Sequence, residues 1–182
     1  MSHNAQMNFF YRTKEMYHDF FVNSNILEIG SLNINGSIRP LFENCNYLGI
    51  DIGPGRDVDV IYEGQKFPGP DNHYDTVVST ECFEHNPFWL ETFLNMWRMT
   101  KPNGLLIFTC ATIGRAEHGT IRFDSNSNPL GISQGWDYYR NLTVLDFEVP
   151  LNMKYFFKTH VFEEHDDLGD LYFYGIKRRL YE

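Results

Sequence analysis

Two aromatic, strand-like runs near the end of the chain, residues 155–162 and 171–176, are joined by about eight residues that include Asp166, Asp167 and Gly169. A link this short leaves no room for a crossover helix, so the two runs must pair antiparallel. Upstream the pattern is the opposite. Apolar runs at 26–30, 47–51, 58–61, 74–79 and 105–110 are separated by longer segments, and one of these, 87–99, reads as a helix with proline in its first turn. Residues 37–42 can form a helical turn or two, and Lys101-Pro102-Asn103-Gly104 reads as a turn. Strands alternating with helices imply a parallel sheet covered on both faces, here closed by an antiparallel hairpin.

The chain opens, within residues 1–22, with an amphipathic helix carrying Phe9, Phe10, Met16, Tyr17, Phe20 and Phe21 at helical spacing; it ends at Asn23-Ser24-Asn25. Residues 111–135 are rich in Gly, Ser, Asn, Asp and Thr and read as one long loop at the rim of the sheet. No repeat or linker divides the sequence, so residues 1–182 are expected to form one domain. With 42% hydrophobic residues it can bury a core without metal or disulfide staples.

Charge narrows the partners. A net charge of -9 works against nucleic acid, and the one basic run, Lys177-Arg178-Arg179, reads as a solvated chain end. Cys45, Cys82 and Cys110 lack the paired spacing of zinc or redox sites, which fits a reducing, cytoplasmic compartment. No stretch approaches the roughly 20 apolar residues of a membrane span, and Met1-Ser2-His3-Asn4 lacks a signal-peptide pattern, so a soluble, unprocessed protein is expected.

The first strand-to-helix turn, Glu28-Ile29-Gly30-Ser31-Leu32, stands where an open α/β sheet binds its ligand. Leu32 occupies the place of the second glycine in the pyrophosphate-binding pattern, which argues against NAD, flavin or nucleotide-sugar chemistry. Asp51 ends the second strand roughly 20 residues on, where a carboxylate can accept both hydrogens of a ribose diol. Adenosine without a pyrophosphate is indicated.

These residues, together with Tyr47-Leu48-Gly49-Ile50-Asp51-Ile52, residues 58–63, residues 74–85 and residues 101–106, give the chain a resemblance over nearly its whole length to the class I S-adenosylmethionine-dependent methyltransferases. The resemblance implies a three-layer α/β sandwich around a Rossmann-like, seven-stranded, mostly parallel sheet whose last strand is antiparallel. It also implies S-adenosylmethionine as cofactor and S-adenosylhomocysteine as product, with no metal required. By resemblance, Glu28, Gly30 and Ser31 line the methionine and ribose side, Asp51 and Ile52 the ribose, Glu63 the adenine, and Thr80 and Glu81 face the cofactor from the fourth strand. The sequence departs from the family pattern at Leu32, at Asn103 (for glycine) and at Glu63 (for aspartate).

On the acceptor side, residues 115–120 and 136–141 are similar to segments of related methyltransferases. His118 is open to two roles there, general base or anchor of its loop. His85, Trp136, Tyr138 and Tyr139 either wall a substrate pocket, for an acceptor expected to be a small molecule, or belong to the core; His85 also reads as a structural hydrogen-bonding residue. The acidic tip at 163–167 reads as a solvated turn and not as a metal site. A non-catalytic S-adenosylmethionine-binding partner subunit is the alternative function.

Overall fold

The computed structural model describes residues 4–165 and 167–179. Met1 to His3 and Asp166, which entered the readings of the N-terminus and the acidic tip, lie outside the described residues. In chain order the elements are helix α1 (Asn4–Met16), strands β1 (Asn25–Ile29), β2 (Asn46–Asp51), β3 (Val60–Ile61) and β4 (Tyr74–Thr80), helix α2 (Trp89–Met99) and strand β5 (Thr100–Ala111). Short helices α3 (Pro129–Ser133), α4 (Val144–Glu148) and α5 (Met153–Phe156) follow, and then strands β6 (Phe157–His165) and β7 (Asp170–Lys177).

The strands form one seven-stranded sheet in the order β3-β2-β1-β4-β5-β7-β6. β1 to β5 are mutually parallel, and β7 runs antiparallel between β5 and the edge strand β6. The fold is the expected α/β sandwich. Its central strands alternate between two cores: Leu27, Val77, Leu106, Phe108 and Phe173 meet Phe93 and Met96 of α2 on one face, while Ile26, Val78, Ile107 and Tyr172 meet Phe9 and Phe10 of α1 on the other. Burial on both faces is why these strands read as continuous apolar runs.

Several local expectations are corrected. α1 ends at Met16, and a 3-10 turn at His18–Phe20 carries the chain on to β1. No α-helix joins β1 to β2 or β2 to β3; a 3-10 turn at Arg39–Leu41 serves the first of these crossovers. β3 is cut to two residues: Asp59 N donates to the Gly49 carbonyl at 2.9 Å, but it is the Asp59 side chain that accepts in return from Gly49 N at 2.7 Å, and from Arg39 at 2.8 Å. Residues 101–104 are a bulge inside β5, where the register with β4 shifts between Tyr74 and Thr76 and Asn103 takes a left-handed φ of 66°. Tyr155 and Phe156 lie in α5, begun by Asn152, whose side chain accepts from Tyr155 N, and not in β6.

The 111–135 segment is not structureless: Asn128 caps α3 by accepting from Gly131 N, with Pro129 at its first turn. Lys177 is no solvated end. It is 3% exposed, lies 4.0 Å from the centre of the Trp97 ring, and donates to the carbonyls of Trp97 and Thr100 at 2.7 Å and to Asn72 at 2.8 Å. The cation is held by carbonyls that the end of α2 leaves without intrahelical partners. No described helix is long and apolar enough to cross a membrane.

Candidate active site

The sheet reverses its winding between β1 and β4, and a cleft opens at the carboxyl ends of β1, β2 and β4, as the physics of open α/β sheets requires. Its walls enclose about 1130 Å³, solvent mouth included. Gly30, Ser31 and Leu32 line it from the first turn, Asp51 and Ile52 from the second strand, and Thr80, Glu81 and Cys82 from the fourth.

Gly30 takes φ +80°, and a Cβ there would stand 2.7 Å from both Cβ and Sγ of Cys82, so only glycine lets the two loops close on each other. The departure at Leu32 has a local account. Its N–H donates to Asp51 Oδ2 at 2.9 Å, and its side chain fills the space beside Gly55. Asp51 also accepts from Ile52 N at 2.8 Å. Burial pushes its carboxyl above the usual range, against the lowering effect of these two donors. Glu28, 3% exposed, accepts from Tyr47 Oη at 2.9 Å, and burial pushes its carboxyl up to about 7. Among the described residues no lining side chain is Lys or Arg, whereas Glu28, Asp51 and Glu81 all line the cleft.

Glu81 adopts a left-handed φ of 48° as β4 leaves the sheet. Gln6 of α1 reaches it at 3.4 Å and donates to Thr109 Oγ1 at 2.7 Å, which ties the opening helix to the cleft. The buried atoms Ser31 Oγ and Glu81 Oε2 have no hydrogen-bond partner among the described residues.

At the opposite end stand His85, His118 and Trp136, all lining the cleft. His118 Nδ1 lies 3.0 Å from the Ala116 carbonyl. A carbonyl can only accept, so Nδ1 carries a proton, and in the neutral ring the lone pair is then on Nε2. The His118 ring meets His85 edge-on at 4.9 Å and Tyr139 at 5.0 Å. Burial, and next the neighbouring His118, push the His85 imidazole down to about 3, so it is neutral. Beneath them Glu84 is 0% exposed, and neither of its oxygens meets a donor among the described residues. Burial, then the charge of Glu81, push its carboxyl well above the usual range.

Three named residues sit elsewhere. Glu63 is not in the lining; its carboxylate accepts from Gln65 at 2.7 Å and Lys66 at 2.9 Å, while its neighbours Tyr62 and Gly64 face the cleft. Tyr138 and Tyr139 are likewise outside the lining. Tyr139 supports the rim instead, donating to the Ala116 carbonyl at 3.2 Å. At the acidic tip Glu163 pairs with Arg12 at 2.7 Å, while Glu164 and Asp167 are exposed.

Sequence reasoning passed over Gln6, Tyr62 and Glu84. Gln6 carried a signal, a polar residue on the apolar stripe of the opening helix, and so did the adjacent Glu84-His85 directly after a strand that ends in the cleft.

A family model described as a methyltransferase domain matches residues 6–139. No curated protein matches the chain in sequence. Its fold is similar to that of Haemonchus contortus phosphoethanolamine N-methyltransferase 2 in complex with S-adenosyl-L-methionine, at TM-score 0.63 and 14% identity, over 93% of this chain and 53% of that one. It is also similar to Burkholderia thailandensis 1,6-didemethyltoxoflavin-N1-methyltransferase with bound 1,6-didemethyltoxoflavin and S-adenosylhomocysteine, at TM-score 0.61 and 10% identity, over 92% and 76% of the two chains. The chain spans about half the length of the first of these. The family match runs from α1 through β5 to Tyr139 and so takes in every strand end that builds the cleft: the chain belongs to the methyltransferase domain family.

Proposed function

We propose that this chain, acting as a single domain, transfers a methyl group from S-adenosylmethionine to a small-molecule acceptor. The observation that carries the reading is the charge of the cleft: carboxylates from the ends of β1 and β2 and the turn after β4, with no lining Lys or Arg among the described residues. Such a site attracts a cofactor bearing a sulfonium and an ammonium and repels a pyrophosphate. When bound, the cofactor supplies an activated methyl group, and the protein's work is to align the acceptor with it and exclude water.

The residues present fit that cofactor. Asp51 has two lone-pair sites left after Leu32 and Ile52 are satisfied, enough for a ribose diol. The unpartnered Ser31 Oγ and Glu81 Oε2 supply acceptors on the methionine side, next to Glu28, Gly30 and Thr80. Tyr62 and Ile52 offer apolar surface for adenine, the place expected for Glu63. His85, His118 and Trp136 bound the acceptor end, where His118 is the imidazole with a free lone pair to take a proton. The free cysteines Cys45, Cys82 and Cys110 support a cytoplasmic setting.

Calorimetry tests the reading. S-adenosylhomocysteine should bind in the micromolar range and NAD should not; tighter binding of NAD would overturn it.

A further inference from the structure

Glu84, His85 and His118 come from two separated stretches of chain, yet one ligand-capable atom from each lies within 4.8 Å of the others. Glu84 is fully buried, with both carboxylate oxygens lacking a donor among the described residues, and His85, 8% exposed, has an equally unpartnered Nδ1. A buried carboxyl group and a buried imidazole nitrogen left without hydrogen-bond partners are unfavourable, and one cation set between them would satisfy both.

We propose that Glu84, His85 and His118 bind one divalent first-row transition-metal ion at the acceptor end of the cleft. Two imidazoles and one carboxylate suit zinc, iron, cobalt or nickel in preference to magnesium or calcium, which take oxygen ligands. The supporting shell is in place: His118 Nδ1–H donates to the Ala116 carbonyl, which presents Nε2 as the ligand atom, and Tyr139 donates to the same carbonyl. Bonds of about 2.0–2.2 Å at tetrahedral angles hold ligand atoms about 3.3–3.6 Å apart, so the three groups must draw together by about 1 Å. The movement falls to the half-buried side chain of His118, since Glu84 and His85 are buried.

Three protein ligands leave further coordination positions, and because His85 and His118 line the cleft, these face the place of the acceptor. With the ion bound, His118 is a ligand at Nε2 and the base role given to it above lapses: an acceptor oxygen or nitrogen on the ion has its proton made more acidic and releases it to solvent water at the mouth of the cleft as the methyl group is transferred. That role of the ion rests on the methyltransferase reading; ion binding itself does not.

The test uses untagged, full-length protein stripped with a chelator. Zinc is titrated by calorimetry, and cobalt by the visible bands it acquires on binding. One equivalent should bind at micromolar affinity or tighter, and Glu84→Gln and His118→Ala should each weaken it at least about tenfold. His118 is a half-buried loop residue, so that variant remains informative if Glu84→Gln does not fold. No saturable zinc binding, or equal binding by folded His118→Ala, overturns the proposal. S-adenosylhomocysteine titrated into the same stripped protein separates the two readings. Its binding without zinc binding removes the ion site alone, and zinc binding without it keeps the ion site and removes the methyltransferase reading.

Discussion

Replacing Glu28 by Gln tests how the cleft holds its charge. Glu28 sits in β1 among buried neighbours, 3% exposed, with Tyr47 Oη its hydrogen-bond donor at 2.9 Å. Burial outweighs that bond and raises the carboxyl from 4.5 to about 7. At about 1.4 kcal/mol per pH unit, the displacement corresponds to about 3 kcal/mol. A raised folded-state value means that folding favours the protonated acid. The stability this contributes is fully present below about pH 4.5 and is lost as pH rises through about 7. Glutamine keeps an acceptor for Tyr47 and cannot ionise. Denaturant unfolding of both proteins from about pH 4 to about pH 8 should therefore show the wild type losing about 3 kcal/mol relative to Glu28→Gln across that window. Subtracting the two curves cancels every other titration. A difference that stays flat with pH would refute the argument and place the Glu28 carboxylate in contact with water or with a cation.

Asp51→Ala should weaken S-adenosylhomocysteine binding by about 2–4 kcal/mol in calorimetry, through loss of charge-assisted bonds to the ribose. Stability should also fall by about 1–3 kcal/mol, because Leu32 N and Ile52 N lose their acceptor; unchanged affinity in a folded variant would place the ribose elsewhere. Gly30→Ala should lower stability by about 1–3 kcal/mol in thermal unfolding, since it forces a side chain into φ +80° and against Cys82; an unchanged midpoint would mean that the loop after β4 yields freely.

The parts of this fold that are legible in the sequence are those whose environment is uniform. β1, β4 and β5 are buried on both faces, so their apolar runs announce them without reference to neighbours. The antiparallel end follows from chain length alone, because about eight residues between runs cannot hold a crossover. Gly30 and Asp51 could be placed in the cleft because each immediately ends or follows a strand, and strand ends are where an open sheet binds.

What depended on distant neighbours was not legible. The residues of α3 are held by an Asn128 cap and by Leu130 against Gly53, and no periodicity in five residues reveals that. Tyr155 and Phe156 have strand-like side chains, but Trp97 of α2 donates to the Phe156 carbonyl at 3.0 Å and packs on its ring, fixing them as helix. Lys177 sits in a basic run that looks solvated until α2 ends beside it with unsatisfied carbonyls. The meeting of Glu84, His85 and His118 is of the same kind: β4 and β5 are adjacent and parallel, so the segments that leave their carboxyl ends converge on one rim. The local sequence carries the residue types, but their distances are set by strand order, and strand order is decided by how the sheet buries its two faces.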